Sequence, residues 1–85
     1  MLLTIISPEK TIFKGESVER VHVPGRKGQF TVLENHAPII STLGKGDVIY
    51  VIDNNEHIAS IFSGLLEVNK NNVTICIEEN KNDGR

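Results

Sequence analysis

The sequence predicts an all-β fold, a single-domain β-sandwich or flattened barrel of about eight to ten short strands. Three observations predict it. Apolar and polar residues alternate in several short runs, the period of a half-buried strand. Glycine, proline, asparagine or serine interrupts the apolar pattern every few residues, which leaves no stretch long enough for a helical period. The chain has 85 residues, enough for one modest core and little more. The reading assigns residues 1–78 to the domain and 79–85 to a flexible polar tail.

Leu2 to Ser7 is β-branched and apolar, and Ser7-Pro8-Glu9-Lys10 stops it, because proline removes a ladder donor. Thr11 to Lys14 reads as a second strand closed by Gly15. Glu16 to Val23 alternates most clearly, with Val21 and Val23 set to face the core. Two turn clusters follow, Pro24 to Gly28 and Glu34 to Pro38, on either side of the short run Gln29 to Leu33. These loops break the alternation, and loops on a rigid scaffold are where function concentrates. Ile39 to Leu43 leads into the turn Gly44-Lys45-Gly46-Asp47. Val48 to Ile52 is continuously apolar, consistent with burial on both faces. Asp53 to Glu56 and Lys70 to Asn72 read as hairpin turns of residues that tolerate positive φ. His57 to Phe62, Leu65 to Asn69 and Val73 to Ile77 complete the strands.

Composition narrows the function. Net charge is −2, from 9 basic and 11 acidic residues, without the basic excess of a nucleic-acid surface. Aromatic residues make up 5% and tryptophan is absent, so base-stacking platforms are poorly supplied. One cysteine allows no internal disulfide, and a reducing compartment is the simpler expectation. The apolar runs are far shorter than a membrane span, and Met1 to Thr4 lacks the basic region of a signal peptide.

The candidate chemical sites are thin. His36 would need converging ligands to hold zinc, yet His22, His57 and Cys76 share no short ligand spacing with it. It reads as a loop histidine bonded to its own turn or to a partner. Cys76 reads as a small hydrophobe in the last strand. Ser63-Gly64 lacks the G-x-S-x-G frame of a nucleophile elbow, and Gly64 marks a bulge or a close strand approach. Gly25-Arg26-Lys27-Gly28 lacks P-loop spacing and reads as a turn with solvated charges. The doublets Ile39-Ile40 and Leu65-Leu66 are more informative. Successive strand side chains point to opposite faces, so either the domain covers both faces or one of them meets another chain.

The residues quoted above carry a resemblance. V-P-G-x-x-G-x-F-x-V-L-x-N-H-A-P over Val23 to Pro38, L-x-x-G over Leu43 to Gly46, S-G-x-L-E-V over Ser63 to Val68, and N-x-V-T-I ending at Ile75 occur in that order. With Ile6 to Glu9 and Phe13-x-Gly15, the chain resembles the epsilon subunit of F-type ATP synthase over nearly its whole length. The resemblance implies a non-catalytic β-sandwich at the foot of the central stalk. It would link the gamma subunit to the polar loops of the c-ring and couple ion-driven rotation to ATP synthesis. It implies a peripheral position on the cytoplasmic face of a bacterial inner membrane, with no cofactor, metal or nucleic acid. The ring-facing residues it implies are Gln29, Glu34, Asn35 and His36. Some family members carry an acidic residue where Gln29 stands, so Glu34 and Arg26 would set the local charge instead. The gamma-facing residues it implies are Ser7, Pro38, Ile39, Ile40 and Ser41. Longer members continue into an inhibitory helical hairpin, so the expectation for this chain is coupling without that latch and without ATP binding. A naturally short form and a longer chain cut after the sandwich read alike in these residues.

Two other function classes compete with this reading. A biotinyl or lipoyl carrier domain has similar size and β content, and Lys70 sits at a turn, but Leu66 to Asn71 lacks the usual carrier flank. A small enzyme would need convergent polar groups in a pocket, and the motifs supply none.

Overall fold

The computed structural model describes residues 1–78, and the polar stretch 79–85 lies outside them. Nine strands follow one another: β1 (Leu2–Ile6), β2 (Thr11–Ser17), β3 (Arg20–Val23), β4 (Phe30–Val32), β5 (Ile39–Leu43), β6 (Gly46–Ile52), β7 (Asn55–Ile61), β8 (Ser63–Asn69) and β9 (Asn72–Glu78). They form a five-stranded sheet in the order β2-β1-β9-β8-β5 and a four-stranded sheet in the order β4-β3-β6-β7. The two inner faces make the core of a β-sandwich.

The alternation of each strand builds that core. Leu3 and Ile5 of β1, Leu66 and Val68 of β8, and Val73, Ile75 and Ile77 of β9 are buried from one sheet. Val21, Val23, Val32, Val48 and Ile61 meet them from the other. Each such side chain stabilises the fold by about 1.5–3 kcal/mol relative to exposure. Phe13 reaches across one edge to Tyr50 of the opposite sheet, ring centroids 4.9 Å apart. The first and last strands pair in parallel, from Leu2↔Asn72 to Ile6↔Cys76, so the two extremities of the described chain lie in one ladder.

Two hairpins turn on pairs of residues with positive φ, Asp53 (50°) with Asn54 (65°) and Lys70 (52°) with Asn71 (62°). Positive φ at both central positions matches the twist of the flanking strands. Gly64 is the close approach. Its neighbours in the ladder are Ile77 and Leu43, and a Cβ there would stand 2.8 Å from the Cys76 carbonyl oxygen.

The structure corrects two expectations. Gly15 does not close the second strand: β2 continues to Ser17 through Gly15 at φ 63°, whose N–H donates to Thr4 Oγ1 at 3.0 Å. Glu16 to Val23 is not one strand, because β2 and β3 belong to different sheets. The chain crosses between them at Val18 and Glu19, which buries Val18. As the alternation of the last strand implies, Cys76 lies exposed on the outer face, while Ile75 and Ile77 take the core positions.

Candidate interaction surfaces

The residues that fill the core dictate what the outside of the five-stranded sheet presents. With Leu3, Val73, Val68 and Ile39 in one inward row, the residues between them must point out. One outward row is Thr4–Thr74–Glu67–Ile40 and the next is Ile6–Cys76–Leu65–Thr42. Ile40 is 71% exposed and Leu65 43%. The doublets therefore resolve as one residue in and one out: Leu66 is buried and Ile39 packs on the core, while Leu65 and Ile40 face away from it. Among the described residues no second layer covers this face. It carries aliphatic groups among threonines, with Glu67 as its one charged member in these two rows.

Ser7 and the stretch Pro38 to Ser41 border this face at diagonal corners. Ser7 follows β1, and its turn is closed by Ser7 N–H donating to the Lys10 carbonyl at 2.8 Å and Lys10 N–H to the Ser7 carbonyl at 3.3 Å. A shallow depression lined by Ile6, Ser7, Leu65 and Cys76 adjoins it. Ile40 lies on the edge strand β5, beside a second depression shared with Pro38, Glu67 and Asn69. Ser41 stands in the inward row with Leu66 and is half-buried. Of the residues expected to face gamma, Pro38 and Ile40 are both apolar and exposed, and Ile40 is the larger side chain.

The residues expected to face the ring do not form one patch. Gln29 sits before β4, its Oε1 2.9 Å from His22 Nε2, while His22 Nδ1 lies 2.8 Å from Thr31 Oγ1. It shares a depression with Arg26, Lys45 and Asp47. Glu34, Asn35 and His36 lie beyond the other end of β4. Asn35, at φ 65°, is clasped to the β8–β9 turn: its N–H donates to Asn71 Oδ1 at 2.7 Å and Asn71 Nδ2 donates to Asn35 Oδ1 at 3.0 Å. Glu34 Oε2 is 3.8 Å from the Met1 α-amino group. His36 N–H donates to the Leu33 carbonyl at 3.1 Å, and its Nδ1 lies 2.7 Å from the Ala37 carbonyl oxygen, so its ring bonds its own turn.

Among the described residues no group of three or more His, Cys, Asp or Glu is placed to hold a metal ion, and no helix is long and apolar enough to cross a membrane. Lys70 does occupy a hairpin tip, as a carrier lysine would, but between Asn69 and Asn71. Sequence reasoning named the Gly25–Gly28 turn only as solvated charge and missed its partner. Gly25 bridges Leu43, which puts Arg26 beside the β5–β6 turn. No local signal announces a bridge between residues so far apart in the chain.

A profile described as "ATP synthase, Delta/Epsilon chain, beta-sandwich domain" matches residues 1–82. The ATP synthase epsilon chain of Leptospira borgpetersenii serovar Hardjo-bovis is 43% identical over 78 residues, covering 89% of this chain and 59% of that protein. The epsilon chain of Maricaulis maris is 40% identical over 75 residues, covering 88% and 56%. The chain thus spans a little over half the length of these relatives. Among solved structures, a chain of the Euglena gracilis mitochondrial ATP synthase superposes with a TM-score of 0.88 at 23% identity, covering 93% of this chain and 51% of that one. A chain of the Tetrahymena thermophila mitochondrial ATP synthase central stalk and c-ring superposes at 0.80 and 14% identity, covering 93% and 63%. At these identities the superpositions show the shared fold.

Proposed function

The chain belongs to the delta/epsilon family of ATP synthase through its β-sandwich domain, and from that premise we propose that it is a non-catalytic subunit of the rotor. In this reading it grips the gamma subunit on one side and the polar loops of the c-ring on another, so that rotation of the ring reaches the catalytic head. It would sit at the membrane surface through the complex, on the cytoplasmic face in a bacterium.

The observation that carries the reading is the uncovered outer face of the five-stranded sheet, with Ile40 71% exposed and Leu65 43% exposed. A flat aliphatic surface of this kind suits a protein neighbour better than a small substrate, which is bound in concave pockets with convergent polar groups. Gamma is assigned to this face, with Ser7 and Pro38 to Ser41 at its corners. The backbone suits a load-bearing part. Each strand of the sheet is tied by ladder hydrogen bonds, and the inner face is filled without a buried polar residue among those described. Such a domain transmits torque as a rigid body because a close-packed interior is hardly compressible.

The test is capture of folded gamma by this chain, compared with the Ile40→Asp variant. Ile40 touches little of the domain's own core, so the variant keeps its circular dichroism spectrum and melting temperature. A carboxylate forced into an apolar interface is desolvated without a partner, and capture falls by at least about tenfold. Failure of the unmodified chain to bind folded gamma would refute the assignment. Unfolding of the variant would place Ile40 in the domain's own packing.

A further inference from the structure

We infer that the free edge of β7 docks a second copy of this chain, the two copies pairing antiparallel about a two-fold axis through Ile58 so that their four-stranded sheets become one. The inference stands apart from the rotor reading, because the face assigned to gamma belongs to the other sheet.

An open sheet edge is a template for another strand, and proteins guard such edges with short strands, bulges, lysine or proline. The edge strands here are β2 and β5 of one sheet and β4 and β7 of the other. β4 has only three residues. β2 carries Lys14 and shifts register against β1 on either side of Ile5. β5 is partly occupied, since Arg26 N–H donates to the Thr42 carbonyl at 2.9 Å and Gly25 bridges Leu43. β7 has none of these protections. Its run Asn-Glu-His-Ile-Ala-Ser-Ile contains no lysine, arginine or proline, and it keeps one unbroken register against β6, from Gly46↔Ile61 to Ile52↔Asn55.

That register says which backbone groups are free. Ile52 and Asn55 flank the two-residue turn Asp53-Asn54, so they exchange both hydrogen bonds. Bonded pairs then alternate along the ladder: Tyr50 with His57, Val48 with Ala59, Gly46 with Ile61. The N–H and C=O groups of Glu56, Ile58 and Ser60 therefore point away from β6. Among the described residues none of these groups meets a partner, and all three residues are exposed.

The edge is complementary to itself. With the axis at Ile58, Ile58 pairs with its own copy and Glu56 pairs with Ser60 of the other chain, so every outward group is used and about six new ladder bonds form. Side chains agree with this register. On the outer face Ile58 is 60% exposed and Ile49 lies next to it on β6, so the dimer aligns Ile49, Ile58, Ile58 and Ile49 in one aliphatic row. No like charges stand directly opposite. Glu56 has Arg20 two strands away on its own side, past Val51. Asp47 of the second copy lies equally far on the other side, past Ser60, whose Oγ donates to it at 2.7 Å. At about 10 Å each, the two influences on Glu56 offset. An axis at any other residue of β7 pairs fewer outward groups, and one at Glu56 sets that carboxylate against its own copy. A single strand pair buries less than the roughly 1,600 Å² of a standard interface, so the dimer is weak, with a dissociation constant on the order of 0.1 mM.

The experiment is analytical ultracentrifugation of the full chain over a concentration series, joined to a cross-linking test of the register. The parent chain is expected to be monomeric near about 1 μM and mostly dimeric near about 1 mM. Ile58→Lys sets two ammonium groups against each other on the axis and weakens the dimer at least about tenfold. Its circular dichroism and melting temperature stay those of the parent, because Ile58 is exposed. For the register, Cys76→Ser removes the native thiol, and single cysteines are placed by Ile58→Cys or Glu56→Cys. Opposed Cα atoms of a bonded pair lie about 5.5 Å apart, within disulfide reach, whereas the two copies of position 56 would lie more than about 13 Å apart. Mild oxidation is therefore expected to link the Ile58→Cys chain at least about tenfold faster than the Glu56→Cys chain. A parent chain still monomeric near about 1 mM overturns the inference. So does a dimer that Ile58→Lys does not weaken, or equal cross-linking at the two positions, either of which would put the contact elsewhere.

Discussion

At the scale of single residues, the decisive question is which side chains hold the loops and which are left for a neighbour. Asn71 holds a loop. Its side chain both accepts from the Asn35 N–H and donates to Asn35 Oδ1, and its backbone sits at φ 62°. Asn71→Ala loses both hydrogen bonds and leaves a Cβ in the left-handed region without the polar side chain that lets Asn tolerate it, so it destabilises the domain by about 2 kcal/mol. Asn71→Gly loses the bonds but also removes the Cβ, which relieves the left-handed backbone, and costs about 1 kcal/mol. Urea melts of the two variants check the order, and equal losses would deny the clasp any conformational component. Ile40 is the converse case, since most of its surface is turned away from the domain that carries it. The sequence already separated the two kinds of residue where chemistry is local. Positive-φ turns announced themselves as Asn and Asp, and the Ile39-Ile40 doublet announced a residue with no inward place. The Asn35–Asn71 clasp and the Gly25–Leu43 bridge were invisible, because each joins residues that only the folded sandwich makes neighbours.

At the scale of elements, β8 and β9 form the spine of the five-stranded sheet. β9 is flanked on both sides, by β1 and β8, and its inward residues Val73, Ile75 and Ile77 are all buried. Leu66→Ala, which empties a fully buried site in β8, is expected to cost about 2–5 kcal/mol. Gly64→Val is expected to be destabilising for a different reason, since its Cβ would meet the Cys76 carbonyl oxygen at 2.8 Å, and the ladder must part to admit it. Thermal melts of both variants check this, and an unchanged melting temperature for Gly64→Val would show that the strands yield there. The strands themselves were legible, because alternation and turn residues act locally. The misread boundaries lie where topology overrides the local pattern. Nothing near Val18 tells the chain to leave one sheet for the other, so Glu16 to Val23 reads as continuous. Gly15 reads as a stop but serves as an irregularity against β1, between Glu16 opposite Leu3 and Phe13 opposite Ile5.

At the scale of the whole molecule, the sandwich combines a close-packed interior with an aliphatic sheet face that no second layer covers among the described residues. Rigidity predicts a pattern of hydrogen exchange. The amides of β9, paired on both sides, are expected to exchange slowest, and those of the edge strands β4 and β7 fastest. The proposed assignment of gamma to the sheet face has an equally direct probe. Cys76 is the only cysteine of the chain, and it lies exposed between Ile6 and Leu65 on the face assigned to gamma. The measurement is the rate of alkylation of Cys76, followed by mass spectrometry of its own peptide, in the free chain and in its complex with gamma. The account predicts rapid modification of the free chain and strong protection in the complex, and unchanged reactivity in a complex that has demonstrably formed would contradict it.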